Sequence, residues 1–158
     1  MTWLKLLRRK YSTILTLSSG DRWLLVHALW LLPVIAIAVS LKGMQFTQAM
    51  LLRLPLKSCA VAGTVESQVW ATVRLVRVAV RYHRRWTNCL KQSLLLWILL
   101  RSQGILSEIR IGVGRESTIF TAHAWVEYQG IVLNDTEDVH QRYQAFDRSF
   151  EQSMQEKL

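Results

Sequence analysis

The chain has 158 residues, 51% of them hydrophobic, and a formal charge of +9 from 20 Lys and Arg against 11 Asp and Glu. That length suits one domain with a sizeable core, and the basic balance favours anionic partners such as nucleic acid, acidic lipid or an acidic peptide. Two cysteines exclude a disulfide framework in a chain of this size, and neither has a metal ligand at finger spacing, so a reducing, cytoplasmic setting without zinc is expected.

The opening "MTWLKLLRRKYSTIL" is basic and lacks a signal-peptide cleavage site. Ser18-Ser19-Gly20-Asp21 punctuates the chain and offers Ser or Asp as a cap for the next helix. Residues 23–41, "WLLVHALWLLPVIAIAVSL", run 19 residues without a full charge and meet the length criterion for a membrane span. Pro33 and His27 argue against spanning, and a core helix covered on all sides reads the same way. Gly43 and Pro55 mark further breaks. Residues 1–60 are therefore expected to form an apolar helical subdomain, with residues 61–158 as the domain that carries the chemistry.

Helical signal continues to about residue 104. Over residues 64–82, Val65, Val69, Thr72, Val73, Val76 and Val80 make one stripe at helical spacing, with arginines opposite. Arg74, Arg77, Arg81, Arg84 and Arg85 cluster there, as do Lys5, Arg8, Arg9 and Lys10 near the start; both clusters read as solvated helix faces. No aromatic-rich β pattern or finger motif points to nucleic-acid readout. A further helix opens at Thr87 or Asn88, either a favoured N-cap, with Cys89 in the first turn. Leu90, Leu94, Leu95, Trp97 and Ile98 supply its apolar face, Gly104 stands where a left-handed cap is expected, and Ile105 follows to close it.

Strand signal occupies residues 105 to about 140. Ile109, Ile111 and Val113 alternate with polar residues or glycine, residues 120–128 form a second strand, and residues 131–135 a third. A three-residue loop, Tyr128-Gln129-Gly130, places glycine at the left-handed position. Glu127 then opposes Ile131, Trp125 opposes Leu133 and His123 opposes Asp135, with Cβ atoms about 5 Å apart. A two-residue Gln129-Gly130 loop would instead send His123 and Asp135 to opposite faces.

Cys89, His123 and Asp135 together suit nucleophilic acyl chemistry. A thiol, with an ordinary pKa of about 8.5, needs ionising before it attacks. A helix N-terminus favours the thiolate, an imidazole moves the proton, and a carboxylate on the imidazole's far nitrogen fixes its tautomer. The Cys89 N–H suits one oxyanion donor, and spacing names no second. Plainer roles stand beside these: Cys59 as a small buried hydrophobe, His27, His83 and His140 as structural or surface histidines, and Asp135 with Thr136 as a turn cap.

The "NCLKQSLLLWILLRSQGI" helix, the "IRIGVGR" strand and "FTAHAWVEYQGIVLND" resemble the transglutaminase-like cysteine peptidases of lasso-peptide biosynthesis, the leader peptidases that form the second half of a split B protein. The resemblance is close over residues 88–135 and general over residues 15–60. It implies an α+β fold with a papain-like, transglutaminase-like core, in which the nucleophile helix packs on an antiparallel sheet. It implies hydrolysis of one bond in a ribosomally made precursor, with Cys89 as nucleophile, His123 as general base and acid, Asp135 as the orienting residue, and no metal or organic cofactor. Fused relatives carry a winged-helix leader-recognition domain, for which this chain has no room. A separate recognition protein is therefore expected, along with the precursor peptide and an ATP-dependent macrolactam synthetase; the apolar residues 23–54 would dock the recognition protein or the leader. Other readings are a transglutaminase-like amidase or acyltransferase using the same three residues, and a membrane-anchored interaction protein.

Overall fold

A computed structural model describes residues 18–56, 63–114 and 121–146. The basic cluster from Lys5 to Lys10, Cys59 and Phe120 lie outside them.

The helices begin where the sequence supplies caps. Helix α1 (Ser19–Arg53) starts behind Ser18, whose Oγ accepts the Asp21 N–H at 3.1 Å, and stops two residues before Pro55. Gly43, with φ 79°, interrupts it, as its position in the sequence predicts. His27 is satisfied within its own helix: its Nδ1 meets the Trp23 carbonyl oxygen at 2.8 Å and its ring stacks on the Trp23 indole. Helix α2 (Val65–Tyr82) is capped by Thr64, and helix α3 (Cys89–Ser102) by Asn88, whose side chain accepts the Lys91 N–H at 3.0 Å. Gly104, φ 77°, ends α3 in a Schellman motif: its N–H meets the Arg101 carbonyl, the Ile105 N–H meets the Leu100 carbonyl, and Ile105 enters the core.

These helices and one face of the sheet share a single hydrophobic cluster. Leu24, Ala28, Leu31, Leu32 and Ile35 of α1 meet Val69, Val73 and Val76 of α2 and the continuous run from Leu94 to Leu100 of α3. That run is buried on every side because α3 lies between the other helices and the sheet, so an all-round apolar sequence is what its position requires. Helix α1 is long and apolar enough to cross a membrane by length and composition. Its inner face packs on α2 and α3.

After α3 come β1 (Glu108–Gly114), β2 (Ala122–Tyr128), β3 (Ile131–Val132), the single helical turn α4 (Val139–Arg142) and β4 (Tyr143–Ala145). The strands form an antiparallel sheet in the order β3-β2-β1-β4, giving the expected α+β arrangement of helix on sheet. Alternate residues of β2 face opposite ways. Val126 joins the helical core together with Ile109, while Trp125 packs with Val132, Val139 and Tyr143 on the other face.

The last hairpin differs from the expected three-residue loop. Tyr128 pairs with Ile131 and Glu127 with Val132, so the loop is Gln129-Gly130, and both residues have positive φ, 50° and 80°. That backbone is a type I′ turn, whose twist matches the flanking strands. The expected cross-strand register, with Glu127 opposite Ile131, Trp125 opposite Leu133 and His123 opposite Asp135, is therefore not the one adopted. The third strand also stops at Val132 instead of running to residue 135.

Gly112 of β1 lies opposite His123 of β2 and Ala145 of β4. A Cβ there would stand 2.8 Å from the Gln144 carbonyl oxygen and 3.0 Å from the Trp125 indole. Backbone cannot yield as a side-chain tip does, so Gly112→Ala is expected to destabilise the protein by about 1–3 kcal/mol, read as a lowered denaturation midpoint with unchanged m-value.

Candidate active site

Each of the three expected site residues sits where an element ends. Cys89 is the first residue of α3, a free thiol of intermediate exposure, directly after its Asn88 cap. His123 is the second residue of β2, and Asp135 lies in the bend after β3. The sheet and its bend bring His123 and Asp135 together: Nε2 of the imidazole is hydrogen-bonded to Oδ2 of the carboxylate. That contact leaves Nδ1 as the nitrogen available to a thiol.

The pairing forms despite the two-residue loop because β3 does not continue. In an unbroken ladder the Val126 N–H would donate to the Leu133 carbonyl. It donates instead to Oδ1 of Asn134 at 2.8 Å, although the Leu133 N–H still reaches the Val126 carbonyl. From Asn134 onward the chain has left the sheet, strand parity no longer applies, and Asp135 comes round to His123.

The edge of β2 that β3 vacates is taken by α3. Ala124, like Val126, turns its backbone towards that edge, and Ser93 of α3 donates from Oγ to the Ala124 carbonyl at 3.1 Å. Nδ2 of Asn134 donates to the same Ser93 Oγ at 2.9 Å. Cys89 lies one helical turn before Ser93 and His123 one residue before Ala124, so this junction ties the helix that Cys89 opens to the strand that carries His123. Among the described residues, no hydrogen bond joins Cys89 to His123; the two are related through the junction.

Asp135 is held from its other side as well. Its Oδ1 accepts the Thr136 N–H at 2.7 Å and Nη2 of Arg142 at 2.9 Å, so the turn-capping role open to it in the sequence coexists with the imidazole contact. Arg142 is braced in turn by Asp138, through Nε at 3.0 Å. Burial opposes ionisation of Asp135, but the hydrogen bonds from Thr136, His123 and Arg142 together outweigh it and hold the carboxyl below its ordinary range. Tyr143 stacks on the imidazole with ring centroids 4.8 Å apart.

Ser93, Asn134, Arg142 and Tyr143 were not singled out as site residues in the sequence. For Ser93 a signal existed: it is the lone hydroxyl heading the apolar run "SLLLWILL". The other histidines have structural places: His27 inside α1, His83 as the C-cap of α2, and His140 against Glu127 at 3.4 Å. Among the described residues no group of three His, Cys, Asp or Glu side chains is placed to hold a metal ion.

A carboxyl whose folded pKa lies below its unfolded value of about 3.9 contributes stability above that value and loses it as pH falls through the folded pKa. The melting temperature of the wild type should therefore fall more steeply below about pH 4 than that of Asp135→Asn. Parallel curves would show that Asp135 gains nothing from its partners.

No curated protein and no solved structure shows significant similarity to the chain. A family profile, that of the transglutaminase-like superfamily, matches residues 28–147, from within α1 to just past β4 and across Cys89, His123 and Asp135. With helix on antiparallel sheet and most of its length matched, the chain belongs to the transglutaminase-like superfamily, whose members carry cysteine-protease or acyltransferase types of activity.

Proposed function

We propose that the protein is a cysteine endopeptidase that removes the leader from a ribosomally made lasso-peptide precursor. The observation that carries the catalytic part is the His123–Asp135 pair, on a strand that Ser93 of the Cys89 helix bonds at the next residue, Ala124. The precursor class rests on the motifs of residues 88–135.

In this reading Nδ1 of His123 takes the Cys89 proton, and the sulfur attacks the scissile carbonyl carbon. The oxyanion that forms is met by the Cys89 N–H, which lies outside the Asn88 cap because that cap receives the Lys91 and Gln92 N–H groups. The imidazolium returns its proton to the departing amine of the core peptide, leaving the leader as a thioester on Cys89. Water, deprotonated by His123, then releases the leader as a carboxylate and restores the thiol. Asp135 keeps the Nε2 proton in place throughout, which orients Nδ1 towards sulfur. The freed core amine is the group a macrolactam synthetase would acylate.

Docking draws on two exposed helix faces among the described residues. On α1, Val26, Trp30, Ile37 and Leu41 are exposed at helical spacing and make one apolar stripe. It would receive a separate leader-recognition protein or the leader itself, the role proposed for the subdomain of residues 1–60. On α2, Arg74, Arg77 and Arg81 are exposed and would meet acidic leader residues.

Incubation with a precursor peptide, read by mass spectrometry, tests the reaction. The wild type should yield separate leader and core, whereas Cys89→Ala, still folded, should lose at least about 10³-fold in rate. A variant cutting at the normal rate would remove the mechanism, and a cross-linked or amidated product without cleavage would assign acyl transfer instead. Arg77→Glu with Arg81→Glu should raise KM for the precursor by about tenfold with little change in kcat, two screened surface charges contributing about 1.4 kcal/mol. Unchanged cleavage would discard the arginine face as a leader contact.

A further inference from the structure

Resting on the peptidase reading, we infer that Ser93 and Asn134 are positioning residues that hold the Cys89 helix in register with the His123–Asp135 hairpin. Ser93 is fully buried, and its hydroxyl is the hub of a chain of polar contacts across two elements. It accepts from Nδ2 of Asn134 and donates to the Ala124 carbonyl, while Oδ1 of Asn134 accepts the Val126 N–H. A fully buried hydroxyl at the head of an apolar run is costly unless both its donor and its acceptor capacity are used, and here both are. The junction is directional, unlike the leucines around it. Apolar packing would tolerate a small slide or rotation of α3 along the sheet, whereas two hydrogen bonds at Ser93, to Ala124 at 3.1 Å and from Asn134 at 2.9 Å, fix its height on β2, with Asn134 itself tied to Val126 at 2.8 Å. Since Cys89 is one turn from this point and Nδ1 of His123 must face its sulfur, that height sets the sulfur–imidazole approach. A misplacement of about 1 Å in such a constellation costs as much as 10²-fold in rate.

The test reads the thiol itself and needs no substrate. In the full chain carrying Cys59→Ser, Cys89 is the sole thiol, and its alkylation by iodoacetamide is followed from pH 5 to pH 10. Sulfur paired with imidazole reacts on an acid-side plateau well below the ordinary thiol pKa of about 8.5. Ser93→Ala and Asn134→Ala are each expected to lower the pH 6 rate by about tenfold or more and to return the profile to a single ordinary titration. Ser93→Thr, which keeps the hydroxyl, should retain the plateau, and the Ser93→Ala/Asn134→Ala double variant should be no worse than either single one. Asn134→Asp provides a near-isosteric variant that keeps an acceptor for the Val126 N–H and replaces the donor to Ser93 with a carboxylate oxygen; it too should lose the plateau, and it is the variant to read should either alanine variant lose its near-UV circular dichroism. A junction that only adds stability would lower the melting temperature and leave the pH profile in place, and that result overturns the inference. Absence of the plateau in the Cys59→Ser parent would instead bring down the Cys–His pairing, and the peptidase reading with it.

Discussion

One carboxamide decides the geometry of this protein. Asn134 accepts the Val126 N–H through Oδ1 at 2.8 Å, and so takes the place that the Leu133 carbonyl would hold in a continuing strand. Its Nδ2 donates to Ser93. A carboxamide is suited to this because it offers an acceptor and two donors on one planar group. By ending β3 it lets Asp135 leave the sheet and meet His123, and it opens the edge of β2 on which α3 docks. Asp135 and the helix that Cys89 opens thus take their positions from the same side chain.

Around that point the His123–Asp135 pair is enclosed from behind. Helix α4 and strand β4 return the chain to the free edge of β1, where Tyr143 lies opposite Gly114 and Ala145 opposite Gly112. This return brings Arg142 to Asp135 and Tyr143 to the imidazole face, and Arg142 lies over the Tyr143 ring at 5.6 Å. The two carboxylate oxygens divide the work: Oδ2 orients the imidazole while Oδ1 takes the Thr136 N–H and the guanidinium. Hydrogen bonds from both sides thus hold the carboxyl below its ordinary range, against the burial that opposes its ionisation.

The helices were legible because their ends are written locally. Thr64, Asn88 and Gly104 act at the positions their side chains, or the lack of one, suit them for. The expectation for Cys89, His123 and Asp135 rests on residue types and order, and of the three the structure joins His123 to Asp135. The hairpin register was not legible, because Gln-Gly is a weak two-residue loop and Gln129 takes a left-handed backbone that a non-glycine residue seldom adopts. Burial decides it: Leu133 belongs with Val126 in the helical core and Val132 with Trp125 on the far face, a division only the assembled sheet imposes. Elements as short as α4 and β4 show no period to read, and a strand's end made by a side chain looks, in sequence, like more strand.

Helix α1 was ambiguous for a related reason: it is apolar on two sides for two different causes. Its inner face, with Leu24, Leu31, Leu32 and Ile35 fully buried, completes the layer that keeps α3 out of water. Without it the apolar run of α3 would lose much of its cover on the side away from the sheet. The outer face leaves Trp30 at 63% and Leu41 at 74% exposure, surface that folding leaves uncovered and that gains about 25 cal/mol for each Å² later removed from water. Because α1 and α3 share one packed cluster, a contact made on that outer face bears on the same layer that seats α3.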